Sequence, residues 1–213
     1  MTIKCLIFDC DGTLVDSELL SGKALELKLR ELGIEESAEA MVRRYRGGKL
    51  SEVLRDLEGR HGTRFDESFV GNYRAAVARL FEAELEPVSG VVAALERIAL
   101  PKCVASNGPI EKVEQALRVS GLTRFFDGKL FSSYAIGSWK PEPDLLLHAA
   151  REMQVDVAEC LVVDDSPLGL EAARRAGMSA LFFDPDGTGP NVDATNVRVL
   201  RSMDMLPSLI PGE

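Results

Sequence analysis

Ile3-Lys-Cys-Leu-Ile-Phe-Asp9-Cys-Asp11-Gly12-Thr13-Leu-Val-Asp16-Ser17 is a short apolar run that stops at two carboxylates spaced two apart, followed at once by Gly-Thr. Side chains alternate along a strand, so Asp9 and Asp11 leave its C-terminal end on one side while Cys10 points the other way. Gly12 lets the chain turn sharply behind them, where a β-branched residue would not be tolerated. Two acids forced together repel unless a cation or a shared proton relieves them. The strand end is therefore where chemistry is expected.

Outward from this strand, further strand-like runs lie at 102–105, 129–131, 160–163 and 180–183, with helical patterns between them. Pro109 opens one helix and Gly121 closes it. Ser166 and Pro167 supply the N-cap and first residue of another, which Arg174, Arg175 and Gly177 bring to an end. Strands alternating with helices predict a parallel sheet covered on both faces. Such sheets bind ligands outside the carboxyl ends of their strands, which is where Asp9, Asp11, Ser106, Asp164 and Asp165 fall. The interval 17–86 breaks the alternation and reads as helices at 19–32, 38–44, 50–60 and 66–84, with Pro87 and Gly90 punctuating its end.

At 213 residues and 46% hydrophobic content, the chain is long enough for one sizeable α/β domain or a core with a smaller second domain. A formal charge of −9 argues against nucleic acid as a partner. It leaves room for small phosphate esters, because a bound cation reverses the field at one site. The apolar runs fall short of the ~20 residues that span a membrane, and no signal-peptide pattern precedes the first strand. A soluble cytoplasmic monomer is expected. Cys5, Cys103 and Cys160 sit in predicted strands, Cys10 lies between the two acids, and none has a Cys-x-x-Cys spacing, so all four read as small buried hydrophobes. His61 and His148 lack a partner pattern and are assigned structural or exposed places.

Three more stretches complete a pattern. Ser106 closes Lys102-Cys-Val-Ala-Ser, Lys140 lies in Trp139-Lys-Pro-Glu-Pro, and Asp164-Asp165 end Cys160-Leu-Val-Val. With Asp9-x-Asp11-Gly-Thr-Leu-Val-Asp-Ser, these resemble the four ordered motifs of the haloacid dehalogenase superfamily, whose members are mostly magnesium-dependent phosphohydrolases. More narrowly, Ser106-Asn-Gly-Pro, Lys129-Leu-Phe-Ser-Ser and Val162-Val-Asp-Asp-Ser are similar to bacterial sugar phosphatases, enzymes acting on 6-phosphogluconate among them. The resemblance implies an α/β, Rossmann-like parallel-sheet core at 1–16 and 87–213 with an inserted α-helical cap domain at 17–86. It implies Asp9 as a nucleophile that forms an aspartyl phosphate on a small phosphorylated metabolite. It also implies Mg²⁺ held by the Asp9 carboxylate, the Asp11 backbone carbonyl and the Asp165 carboxylate, with Asp164 direct or one water removed.

The residue chemistry agrees with those roles. Asp9 must be ionised to attack, while Asp11 must begin protonated to give its proton to a departing alcohol and then activate water. A halide leaves without a proton, so Asp11 favours phosphate substrates over halides. Asp9, Asp164 and Asp165 beside a dianionic phosphate are tolerable only around a divalent cation, and an all-oxygen set selects Mg²⁺. Lys140 is expected to neutralise the transferring group. Ser106 and the backbone amides of Asn107 and Gly108, at a helix start, suit phosphate oxygens. Arg46 and Lys49 flank the Gly47-Gly48 turn, which is expected to face the site, where they would grip a remote carboxylate or phosphate. Arg43 and Arg44 are assigned to a solvated face, Thr13 and Asp16 to the turn and hinge.

Two rivals remain on the residues. β-Phosphoglucomutases share this core but carry an Arg at the position of Leu50. A phosphorylated signalling receiver has neither the insertion nor an Asp two residues beyond its nucleophile.

Overall fold

The computed structural model describes residues 2–189 and 196–210; residues 1, 190–195 and 211–213, which fall in the expected core domain, lie outside the described residues. Six parallel strands form one sheet: β1 (Cys5–Phe8), β2 (Lys102–Ser106), β3 (Leu130–Ser132), β4 (Cys160–Asp164), β5 (Ser179–Phe183) and β6 (Val197–Leu200), in the order β3-β2-β1-β4-β5-β6. β1 is central, paired on one side with β2 and on the other with β4. The strands that carry Asp9, Ser106 and Asp164 are therefore neighbours, and their carboxyl ends form one rim.

Alternation along each strand divides the apolar residues between two faces. Leu6, Phe8, Val104, Leu161, Val163 and Leu181 pack with α5 (Val91–Arg97), α6 (Ile110–Val119) and α10 (Leu206–Leu209). Cys5, Ile7, Cys103, Cys160, Val162 and Ala180 pack on the opposite face with α8 (Asp144–Glu152) and α9 (Pro167–Ala176). All four cysteines are buried and free. A short helix, α7 (Ser133–Ile136), follows β3.

The segment between β1 and α5 folds as α1 (Glu18–Arg30), α2 (Ala38–Tyr45), α3 (Leu50–His61) and α4 (Glu67–Glu84). Local capping sets their starts: Ser37 accepts from the Ala40 amide at 3.2 Å and Asp66 from the Phe69 amide at 2.8 Å, each cap contributing about 1 kcal/mol. Leu25, Leu29, Met41, Leu54, Leu57 and Phe69 form a core belonging to these helices. The sheet's own core nevertheless continues into them, through Leu20 and Ala24 of α1 and Ala76, Val77 and Phe81 of α4.

The two chain crossings are tied to each other. Val15 bridges Pro87, the Asp16 amide donates to Glu86 at 3.0 Å, and the Val88 amide donates to Leu14 at 2.9 Å. These side-by-side crossings are the two connections between the helical insert and the sheet. Among the described residues no helix is long and apolar enough to cross a membrane.

Candidate active site

A cavity of ≈ 330 Å³ lies between the helical insert and the strand rim, a volume suited to small molecules. Asp9, Asp11, Ser106, Lys140 and Asp165 line its base, and Leu25, Met41, Val42, Leu50, Val53 and Val77 of the insert form much of its roof. Gly12 adopts φ +76°, and a Cβ there would lie 2.3 Å from Asp165 Oδ2. Only glycine lets the first loop approach the second acidic motif this closely.

Each acid at the base has a cationic partner. Lys140 Nζ lies 2.6 Å from Asp9 Oδ1 and 2.8 Å from Asp164 Oδ2. Lys112 Nζ donates to Asp11 Oδ1 at 2.8 Å, and Ser17 Oγ donates to the same oxygen. Arg46 Nε donates to Asp165 Oδ2 at 2.6 Å, while Thr13 Oγ1 donates to Asp165 Oδ1 at 2.9 Å. Asp164 has both oxygens engaged, because Oδ1 accepts from the Ser166 amide and hydroxyl at 2.9 and 2.7 Å. It is fully buried and does not line the cavity. A Cβ at Gly169 would strike its carboxylate, at 1.8 Å from Oδ2, so glycine is required in the first turn of α9. Ser166 caps that helix by accepting from the Gly169 amide at 3.0 Å.

The charges divide the acids in an informative way. Burial holds Asp9 well above the usual carboxylate range, with Lys140 opposing and Asp164 and Asp165 adding to the rise. Burial likewise pushes Asp165 up to about 7 against the pull of Arg46. Asp11 is also buried, but Lys112 and the hydrogen bond from Ser17 outweigh that and hold it below its ordinary value. Without a cation or phosphoryl group, the side chains push the two carboxyls in directions opposite to those their expected roles need. Charge brought by a cation and a phosphoryl group is what would invert those directions.

The donor set fits that cation. Asp9 and Asp165 are oxygen-only groups, insufficiently compensated for their burial, and ammonium and guanidinium groups already sit against them. Among the described residues, however, no three His, Cys, Asp or Glu side chains form a ready-made shell. The four acids expected to hold metal meet in one place, but their oxygens are shared out among Lys140, Lys112, Arg46 and the hydroxyls.

Asn107 turns its side chain to holding the site together rather than into the cavity alone. Its Oδ1 accepts from the Lys140 amide at 2.9 Å and from Ser133 Oγ at 2.8 Å, and its Nδ2 donates to the Gly47 and Lys140 carbonyls at 3.3 Å each. The Gly108 amide donates to Ser106 Oγ at 3.0 Å. Arg46 and Lys49 differ from expectation. Neither lines the cavity; Arg46 is tied to Asp165, and Lys49 Nζ lies 3.4 Å from the centre of the Trp139 ring. The reason is the seating of the turn, where a Cβ on Gly47 would lie 2.8 Å from Ser166 Cβ. The turn packs onto the sheet rim, and its flanking cations meet the rim instead of the cavity.

Sequence reasoning missed Lys112, Glu18 and Arg74, all of which line the cavity. Lys112 carried a signal. It lies in the first turn of α6, where the helix dipole disfavours a cation, so a nearby carboxylate could have been inferred. Glu18, raised to about 7 by burial and then by Asp11, looked like an ordinary first-turn acid of α1.

A parallel sheet with paired acids at its central strand end, a separate lysine ammonium against each and a helical roof suits a hydrolase of phosphoryl-transfer type. The model of the haloacid dehalogenase-like hydrolases matches residues 3–177, and the chain belongs to that family. It is 38% identical over 208 residues to 6-phosphogluconate phosphatase of Escherichia coli strain K12, covering 97% of this chain and 94% of that protein. A conserved haloacid dehalogenase-like protein of Agrobacterium tumefaciens, 29% identical, superposes with a TM-score of 0.81 over 98% of this chain and 97% of its own. CbbY from Rhodobacter sphaeroides, solved with phosphate, is 25% identical and superposes with a TM-score of 0.77 over 96% of each chain. The chain is an enzyme, and relatives that span most of its length are named phosphatases.

Proposed function

We propose that this enzyme is a Mg²⁺-dependent phosphatase of small sugar phosphates, 6-phosphogluconate among them, acting through an aspartyl phosphate on Asp9. The observation that carries this reading is the pair Asp9 and Asp11 in the cavity lining, each with its own ammonium partner, the buried Lys140 and the half-buried Lys112. The name and coverage of the Escherichia coli relative support the substrate class.

The Asp9 carboxylate attacks phosphorus in line, the bond to the sugar oxygen breaks, and the Asp11 proton goes to that oxygen. Asp11 then takes a proton from water, which attacks the phosphoryl group and frees Asp9 and inorganic phosphate. A dianionic phosphoryl group beside Asp11 raises its pKa by like charge, which supplies the protonated form that the first step needs. Lys140 stays with Asp9 and balances the three phosphoryl oxygens, while Ser106 Oγ bounds the same end of the cavity. Mg²⁺, held by the Asp9 and Asp165 carboxylates and the Asp11 carbonyl, would supply the charge that keeps Asp9 ionised. The four inserted helices act as a cap domain that excludes bulk water once substrate is bound. Leu50, in the cavity wall at the position where mutases carry Arg, supports hydrolysis over transfer within the sugar.

The test is phosphate release from a panel of sugar phosphates with Mg²⁺ and with EDTA, glucose 1-phosphate and glucose 6-phosphate interconversion being followed in the same samples. Removing the metal is expected to lower the rate about 100-fold or more, as the loss of several kcal/mol of charge stabilisation implies. Release undiminished by EDTA, or interconversion in place of release, would contradict the proposal.

A further inference from the structure

The cations near the reacting end are committed to carboxylates, and one cavity-lining cation is not. Lys140, Lys112 and Arg46 pair with Asp9 and Asp164, Asp11, and Asp165, while Lys49 rests on Trp139. Arg74, from the middle of α4, lines the cavity, and no salt bridge is found for it among the described residues. Its guanidinium lies over the Tyr134 ring, 5.5 Å from the centroid, with Nη2 3.3 Å from the phenol oxygen. That ring is itself braced edge-on by Trp139, with centroids 5.4 Å apart. An aromatic face orients a guanidinium without neutralising it and leaves its N–H edges available for a planar anion.

The other cations of the cavity lining, Lys112 and Lys140, are paired with Asp11 and with Asp9 and Asp164; Glu18 sits with the acids of the reacting end, and much of the roof is apolar. An anionic group remote from the reacting end would lose hydration against that roof unless Arg74 received it. Ser21, beside Tyr73, adds a hydroxyl to the same cavity lining that suits a polyol.

We infer that Arg74 is a specificity-determining residue that binds the carboxylate at the far end of a phosphorylated sugar acid, while the phosphate sits at Asp9. This deepens the phosphatase reading above and rests on it. The anchor comes from the body of α4 rather than from the turn that holds Arg46 and Lys49. Arg74 is exposed, so it costs little to leave without an anion, and its fork matches the two oxygens of a carboxylate that arrives with the substrate and is shielded from water by the cavity.

The test compares 6-phosphogluconate with glucitol 6-phosphate, which share a chain and differ only in carboxylate against hydroxymethyl at the end remote from phosphate. Wild type is expected to prefer the acid, and Arg74→Ala to lower the acid-to-polyol ratio of kcat/KM about tenfold or more, mainly through KM. Arg74→Lys should fall between the two, because it keeps the charge and loses the fork. Binding of both compounds by calorimetry in an Asp9→Asn background, with and without Arg74→Gln, gives the same ratio without turnover. A ratio unmoved by loss of Arg74, or a wild type with no preference for the acid, would overturn the anchor alone. Absence of Mg²⁺-dependent phosphate release from any sugar phosphate would overturn the phosphatase reading and the anchor with it.

Discussion

Asp9→Asn is expected to stop phosphate release, with a loss of about ten-thousandfold or more at saturating substrate. Asn keeps the shape of Asp but cannot attack phosphorus or form an acyl phosphate. The folded chain should tolerate the change well. Burial holds Asp9 above the usual carboxylate range, so its charged form is disfavoured in the folded state. Replacing it by a neutral amide removes that burden, and Lys140 keeps Asp164 as a partner at 2.8 Å. The melting temperature should therefore hold steady or rise while activity disappears. A variant that retained more than about one part in a hundred of the wild-type rate would remove Asp9 from the nucleophile's role.

Lys140→Met should damage both stability and turnover. Lys140 is 4% exposed and lies between a carboxylate that is fully buried and another that faces the cavity. Burial opposes its charge, yet Asp164 and Asp9 together hold its pKa above the ordinary lysine value. Removing one partner of a buried ion pair leaves the other uncompensated, at a cost of about 3–5 kcal/mol. In urea titrations with EDTA present, so that no metal substitutes for the ammonium, the loss should be of that size. The double variant Lys140→Met/Asp164→Asn should recover part of it, since the stranded charge is then gone. A loss below about 1 kcal/mol would mean that the ion pair does not hold this part of the structure.

Much of the core could be read from local signals. The abrupt end of β1, the Ser166 cap and the left-handed Gly177 each act over a few residues, and each stands where its pattern placed it. Strand β6 was not foreseen. Val197-Arg-Val-Leu200 is a four-residue edge strand with Arg198 and Val199 exposed, so it lacks the continuous apolar run that marks the inner strands. The helices of the insert followed from periodicity, but their sharing of a core with the sheet did not, because Ala76, Val77 and Phe81 meet it only in three dimensions.

The site shows the same boundary between near and far. Asp9, Asp11, Ser106, Asp164 and Asp165 sit at strand ends, and topology alone gathers strand ends onto one rim. Lys112 and Arg74 belong to helices whose sequences look ordinary, and Lys112 meets Asp11 across 101 positions of chain. Charge clustering beside glycines marks Arg46 and Lys49 as candidates. Which carboxylate or ring each would meet depended on how the Gly47 turn seats against Ser166, and no local rule encodes that.

Rapid-quench kinetics on Asp11→Ala with p-nitrophenyl phosphate separates bond-breaking to the leaving group from hydrolysis on the enzyme. Nitrophenolate departs without needing a donated proton, so the first half of the reaction should survive while water is no longer activated. The predicted result is a burst of one nitrophenolate per enzyme molecule, followed by near silence, with one phosphoryl group recovered on the peptide containing Asp9. Slow steady release with no burst, or a phosphoryl group on any other residue, would contradict covalent catalysis by that carboxylate.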